Sequence, residues 1–242
     1  MTSLANATLP QDPLKSSQWE YLVPIILGED AEVVLNDTIV VNAPAAAEDS
    51  LNVPVFVDAS SVGQVERLVV FADWNPIPII LEYRPEPGTP ANIGFDFKVQ
   101  QSTPIRAAAL VDGVWQVGMA HVSAAGGGCT LPSMGSADES WAAKLGEISG
   151  RTIGQRDNLY QSLLFDVVHP MDTGLADGIP AFFIDELTLT NPAGQTIATL
   201  LPKEPVSENP LFNLRIPAVD SVVIRGRDNN GNAFSAEIMQ SE

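Results

Sequence analysis

The chain is patterned in short apolar runs rather than long stripes. Runs of 5 to 9 residues fall at 37–41, 53–58, 65–72, 79–83, 94–99, 105–111 and 114–122. They are separated by turn formers such as Asn42-Ala43-Pro44, Asn75-Pro76 and Asp112-Gly113. Asp112-Gly113 between two apolar runs predicts a two-residue hairpin turn. A second set follows at 163–168, 181–190, 196–200, 212–216, 221–227 and 233–238. In the last, Phe234, Ala236 and Ile238 share one face, and Ala233, Ser235 and Glu237 the other. That alternation is the mark of a half-exposed strand. Many short strands at this spacing predict an all-β protein built as β-sandwiches.

Two stretches have helical spacing. Ser16-Ser17 precedes Trp19 and Leu22, a short helix disturbed at Pro24. Ser136 and Glu139 have the spacing of a capping box, and Trp141, Leu145 and Ile148 recur at i, i+4, i+7 before Gly150. The division expected is therefore a first β-sandwich domain over 1–135, a linker with a short helix over 136–157, and a second β-sandwich over 158–242. Each domain is expected to hold its own strand set and to pack against the other.

Composition narrows the function classes. The net charge of −18 repels nucleic acid and anionic membrane surfaces and favours basic protein partners. No run of about 18 apolar residues is present, so no membrane-spanning helix is expected. Met1-Thr2-Ser3-Leu4-Ala5-Asn6 has neither a basic segment nor an apolar one of the signal-peptide kind. That fits either a cytoplasmic protein or a mature form whose signal has been removed.

One stretch stands apart from the strands: Ser123-Ala124-Ala125-Gly126-Gly127-Gly128-Cys129. Cys129 is the single cysteine. Glycine carries no Cβ and has the widest backbone freedom, so Gly126, Gly127 and Gly128 read as a flexible arm with an accessible thiol at its end. The bland alternative is a small buried hydrophobe, which free cysteines often are. No basic residue lies near Cys129 in sequence, so its thiolate has no visible local support. His121, eight residues before it, is the one sequence candidate for a base in a thiol enzyme. A catalytic pair needs fixed geometry, which a glycine arm opposes. His169 precedes Pro170, which pushes its backbone toward extended conformations and suggests a structural role. One cysteine and two distant histidines do not have the spacing of a zinc site, so no metal is expected.

These residues carry a resemblance. Gly127-Gly128-Cys129, with Ala43–Asp49, Val53-Pro54-Val55 and Asp73-Trp74-Asn75-Pro76 before it, resembles SoxY, the carrier subunit of bacterial sulfur oxidation. His169-Pro170-Met171-Asp172-Thr173-Gly174 resembles the HPMETG segment of SoxZ. Ile179-Pro180-Ala181, Asn209-Pro210-Leu211-Phe212 and Asp228-Asn229-Asn230-Gly231 follow in that family's order. The fused arrangement is similar to SoxYZ-like carriers associated with quinoprotein dehydrogenases. The resemblance implies two immunoglobulin-like β-sandwiches, a periplasmic location and a covalent carrier role without a catalytic site of its own. It implies that Cys129 is the attachment point for sulfur intermediates, that the glycines are its arm, and that no cofactor is needed beyond the covalent cargo. The implied partners are sulfur-oxidation or quinoprotein dehydrogenase proteins with basic docking surfaces. The alternative is an acidic, non-covalent adaptor for a quinoprotein dehydrogenase or cytochrome, with Cys129 incidental. Two departures are visible. SoxY ends just after its motif, whereas here Thr130-Leu131-Pro132-Ser133 continues the chain, and Asp172 stands where the SoxZ segment has glutamate.

Overall fold

A computed structural model describes residues 9–133, 139–154 and 159–240. The strands are β1 (Glu32–Leu35), β2 (Val40–Asn42), β3 (Val53–Asp58), β4 (Arg67–Ala72), β5 (Ile79–Pro85), β6 (Asn92–Phe97), β7 (Thr103–Val111) and β8 (Val114–Val122). The second half adds β9 (Ile148–Ile153), β10 (Tyr160–Val167), β11 (Asp172–Thr173), β12 (Ala181–Phe182), β13 (Ile184–Thr190), β14 (Thr196–Pro202), β15 (Leu211–Pro217), β16 (Ser221–Asp228) and β17 (Ala233–Met239). Two large sheets face each other across an apolar core, as the strand pattern predicts.

The sheets are not divided between the halves. One has nine strands in the order β1-β8-β7-β4-β5-β14-β13-β16-β17. The other has six, β2-β3-β6-β15-β10-β9. The expectation of two domains, each with its own strand set, is corrected on this point: both sheets run through both halves. In the larger sheet β5 and β14 pair antiparallel from Ala198↔Pro85 to Pro202↔Leu81. Each would otherwise be an edge, with unpaired N–H and C=O groups, and the pairing satisfies both. In the smaller sheet the halves touch through one registered pair, Asn213↔Gly94, between β15 and β6. One core continues across this seam, with Val70, Tyr83 and Phe97 from one half and Phe165, Leu200 and Phe212 from the other.

The middle strands explain their own sequences. β4 and β7 are buried almost throughout. Their inward side chains meet the core. Their outward ones, Val69, Phe71 and Ala108, meet Trp19, Val23 and Leu27 of α1 (Trp19–Leu27). A strand covered on both faces reads as a continuous apolar run, not an alternating one. The Arg106 guanidinium ties the N-terminal segment down, donating to Asp12 at 2.7 and 2.8 Å and to Asp73 at 2.9 and 3.2 Å, 4.6 Å from the Trp19 ring centroid.

The helix expected at 136–150 is also corrected. A 3-10 helix covers Glu139–Lys144, and Ile148 already belongs to β9. Residues 134–138, including the capping Ser136, lie outside the described residues. Gly146 stops the turn at φ +77°, where the Phe234 side chain leaves no room for a Cβ. Gly150, expected to close the helix, sits mid-strand against Phe165. The region assigned to the linker therefore supplies an edge strand to the six-stranded sheet.

Candidate functional site

Cys129 ends the glycine run in a 3-10 turn, Gly128–Thr130, and it is buried at 1 % exposure. The flexible, accessible arm expected at Gly126, Gly127 and Gly128 is not what the structure shows. The arm is docked along the segment that continues β6. Gly127 N–H donates to the Gln100 carbonyl and Gly128 N–H to the Val99 carbonyl, both at 3.0 Å. A Cβ on Gly128 would lie 2.0 Å from the Ser50 carbonyl oxygen and 2.8 Å from that of Val99. Here glycine permits close backbone approach rather than motion. The thiol donates to the Lys98 carbonyl at 3.5 Å.

The second half closes the site. Thr173 Oγ1 donates to the Cys129 carbonyl at 2.6 Å, and Asp172 Oδ1 accepts from Ser133 N–H at 3.0 Å. Lys98, itself buried, sends its ammonium to the Met171 carbonyl and, at 3.4 Å, to the Glu204 carbonyl. A side chain of the first half is thus anchored by backbone of the second, beside the thiol. The remaining short motifs serve the same place. Asn75 donates to the Lys98 carbonyl and accepts from Gln100 N–H, each at 2.9 Å, which shapes the segment that receives the arm. Ser123, at the base of the arm, pairs with Ala45 and Ala47 of the 43–49 stretch. Asn209 Oδ1 accepts from His169 N–H at 3.1 Å.

Electrostatics at the site are set by burial. Burial pushes the Cys129 thiol up to about 11, and the nearby Lys98 charge pulls the other way without prevailing. Burial lowers Lys98 to about 8, against the pull of Asp172, Cys129 and Glu208. Burial also lowers His169 to about 4, although Asp228 Oδ2 stands 3.6 Å from its Nε2. Its Nδ1 accepts from Met171 N–H at 3.1 Å, and its ring lies 4.5 Å from that of Phe182. His169 therefore shapes the 169–174 segment, the structural role expected of it. At neutral pH the docked site holds a neutral thiol, a largely charged ammonium and a neutral imidazole.

His121 is not part of this site. It is exposed on β8, opposite Pro104, and no hydrogen bond joins it to Cys129. Sequence reasoning missed Lys98, because it lies 31 residues from Cys129 and reaches it only through the fold. Its one sequence-level signal was a lysine at the end of a strand otherwise rich in buried residues.

The fold and the site define a β-sandwich protein of two matched halves, whose one thiol is held at their junction. The model for "Sulfur oxidation protein SoxY" matches residues 25–129, ending on Cys129 itself. The model for "Sulphur oxidation protein SoxZ" matches residues 157–239. The chain belongs to these families as a fused SoxY–SoxZ protein. Among solved structures, the sulfur carrier protein SoxY from Chlorobium limicola f thiosulfatophilum is similar at 17% identity, over 44% of this chain and 91% of that one, with a TM-score of 0.40. No curated protein matches the chain. Among the described residues, no helix is long and apolar enough to cross a membrane.

Proposed function

We propose that this protein is a periplasmic covalent carrier that holds sulfur-containing intermediates on the Cys129 thiol and presents them to partner enzymes, with no catalytic site of its own. The observation that supports it best is the convergence on Cys129. The SoxY match ends on this residue, and the SoxZ-like segment 169–174 closes over it. Loading joins Sγ to a sulfur atom of an inorganic sulfur anion such as thiosulfate. One S–S bond forms, the thiol proton leaves, and two electrons pass to an electron-accepting partner protein. Gly126, Gly127 and Gly128 form the arm, which must leave its dock for this to happen. The partners are sulfur-oxidation or quinoprotein dehydrogenase proteins with basic docking surfaces, suited to a carrier of net charge −18.

The burial of Cys129 favours a second reading, an acidic adaptor that binds a dehydrogenase or cytochrome without covalent cargo. Intact-mass spectrometry of the protein purified from its native host separates the two. The carrier reading expects sulfur adducts mapped to Cys129 and absent from Cys129→Ser. A homogeneous, unmodified thiol under sulfur-oxidising growth would leave only the adaptor.

A further inference from the structure

The seam between the halves is closed in one sheet and barely joined in the other, and the loosely joined side carries a groove. A single row of residues crosses all six strands of the smaller sheet: Asn42, Phe56, Gly94, Asn213, Leu164 and Arg151 are paired in that order. At its centre Gly94 has no side chain, and a Cβ there would meet the Phe56 ring at 3.4 Å. The result is a depression of about 440 Å³ on the outer face of the sheet. That is room for one or two large side chains.

The exposed lining combines apolar side chains with the amides of Asn42 and Asn213. Phe56 is 37% exposed and Leu211 43%, with Pro54 beside them. The next row along the sheet pairs Pro54 with Asp96 and Leu211 with Asp166. Asp96 lines the groove itself, and Asp166 lines an adjoining depression that shares Leu164 and Leu211 with it and also holds Arg151. Neither Asp96 nor Asp166 has an ion pair among the described residues. Both are partly buried, and burial raises the pKa of each. Partly desolvated carboxylates without a cation are costly to the isolated protein, and an incoming cation relieves that cost.

We propose that this groove docks a partner protein through a short segment that presents an apolar side chain flanked by lysine or arginine. The apolar floor accepts the side chain, and Asp96 and Asp166 accept the cations. A second copy of this chain is a poor occupant, because it would bring another −18 of charge and its own groove carboxylates toward these two. The position also has a consequence. Asp96 lies two residues before Lys98, whose carbonyl receives the Cys129 thiol. A partner seated in the groove therefore stands beside the docked arm. The site does not depend on Cys129 carrying cargo, so it is tested apart from the carrier reading.

The test is selection of a displayed random-peptide library on the immobilised full chain, with binders remade synthetically and their affinities measured. The expected binders carry one or more large apolar residues next to lysine or arginine. They should lose at least about tenfold in affinity to Leu211→Ser and to the double variant Asp96→Asn, Asp166→Asn, and bind Cys129→Ser as they bind the parent. Thermal melts of the two groove variants show whether they keep the fold, and amide shifts of Gly94 and Phe56 on adding peptide locate the binding. The proposal fails if no sequence enriches, if the binders are acidic or uncharged, or if the groove variants bind them as well as the parent does. It also fails if sedimentation shows the chain dimerising in a way that Leu211→Ser abolishes, since the groove would then belong to a second copy.

Discussion

At the scale of single residues, Cys129 and Lys98 are two ionisable groups that the fold places together in the less charged state of one of them. The thiol is neutral because burial outweighs the ammonium beside it. The Lys98 charge nevertheless favours the thiolate, so removing it pushes the thiol further up. Lys98→Met should raise the Cys129 pKa in a titration of cysteine-labelled protein followed by the Cβ carbon shift, while Lys98→Arg should leave it nearer the parent value. A titration identical in all three proteins would mean that Lys98 only fills space. Access to the thiol is set by neighbouring hydrogen bonds. Alkylation of Cys129 should be at least about tenfold slower in the folded protein than in denaturant. Thr173→Val removes the donor to the Cys129 carbonyl, worth about 1 kcal/mol, and so should speed alkylation about fivefold. Equal rates in folded and denatured protein would return the thiol to the surface. His169 supplies an acid limb to stability. Its pKa is about 4 folded and about 6.5 unfolded, so between those values the unfolded chain binds the extra proton. Its neutral, buried state costs nothing above pH ~6.5, and stability falls as pH drops toward 4, by about 3 kcal/mol at most. His169→Gln, measured by denaturant unfolding across that range, should show a shallower decline.

At the scale of elements, most strands and the two-residue hairpin at Asp112-Gly113 were legible, whereas the connections at the glycine run and at 139–150 were not. Apolar runs such as 53–58 and 114–122 became strands because every option for burying them on a two-layer core has period two or full coverage. The Trp141, Leu145, Ile148 stripe misled, because periodicity cannot see that the chain turns at Gly146, at φ +77°, and packs there against Phe234, which is distant in sequence. The glycine run misled for a related reason. Composition shows freedom in the unfolded chain, whereas the need for glycine at 128 comes from the Ser50 and Val99 carbonyls, distant in sequence. The arm thus behaves as a fitted element, and its glycines are not equivalent. Gly128→Ala places a methyl group on two carbonyl oxygens and should expel the arm, bringing Cys129 alkylation close to the denatured rate. At Gly127 a Cβ meets nothing within 4 Å, and its φ of +89° alone costs about 1 kcal/mol. Gly127→Ala should therefore speed alkylation only about fivefold. Similar rates for the two variants would show that the arm is held by conformation and not by contact.

At the scale of the whole molecule, the two family segments share both large sheets and one core. The residue motifs that identify each half were readable in sequence. That they would share sheets was not, since edge-to-edge pairing depends on which strands end up at the edges. Two sandwiches that merely touch would each keep a closed core and could unfold apart. Here the nine-stranded sheet passes through β5 and β14, and Tyr83 and Leu200 pair across the seam inside a common core. Separating the halves would expose both strands as edges and open that core to water, a cost neither half recovers alone. Thermal unfolding should therefore be a single transition, with calorimetric and van't Hoff enthalpies that agree. Leu200→Ala, which empties a fully buried site at the seam, should lower stability by about 2–5 kcal/mol and shift that one transition as a whole. If instead the melt splits in two and Leu200→Ala moves only the transition of residues 159–240, the halves are separate domains. The dock of Cys129 would then be an interface that opens without unfolding, rather than part of a single cooperative structure.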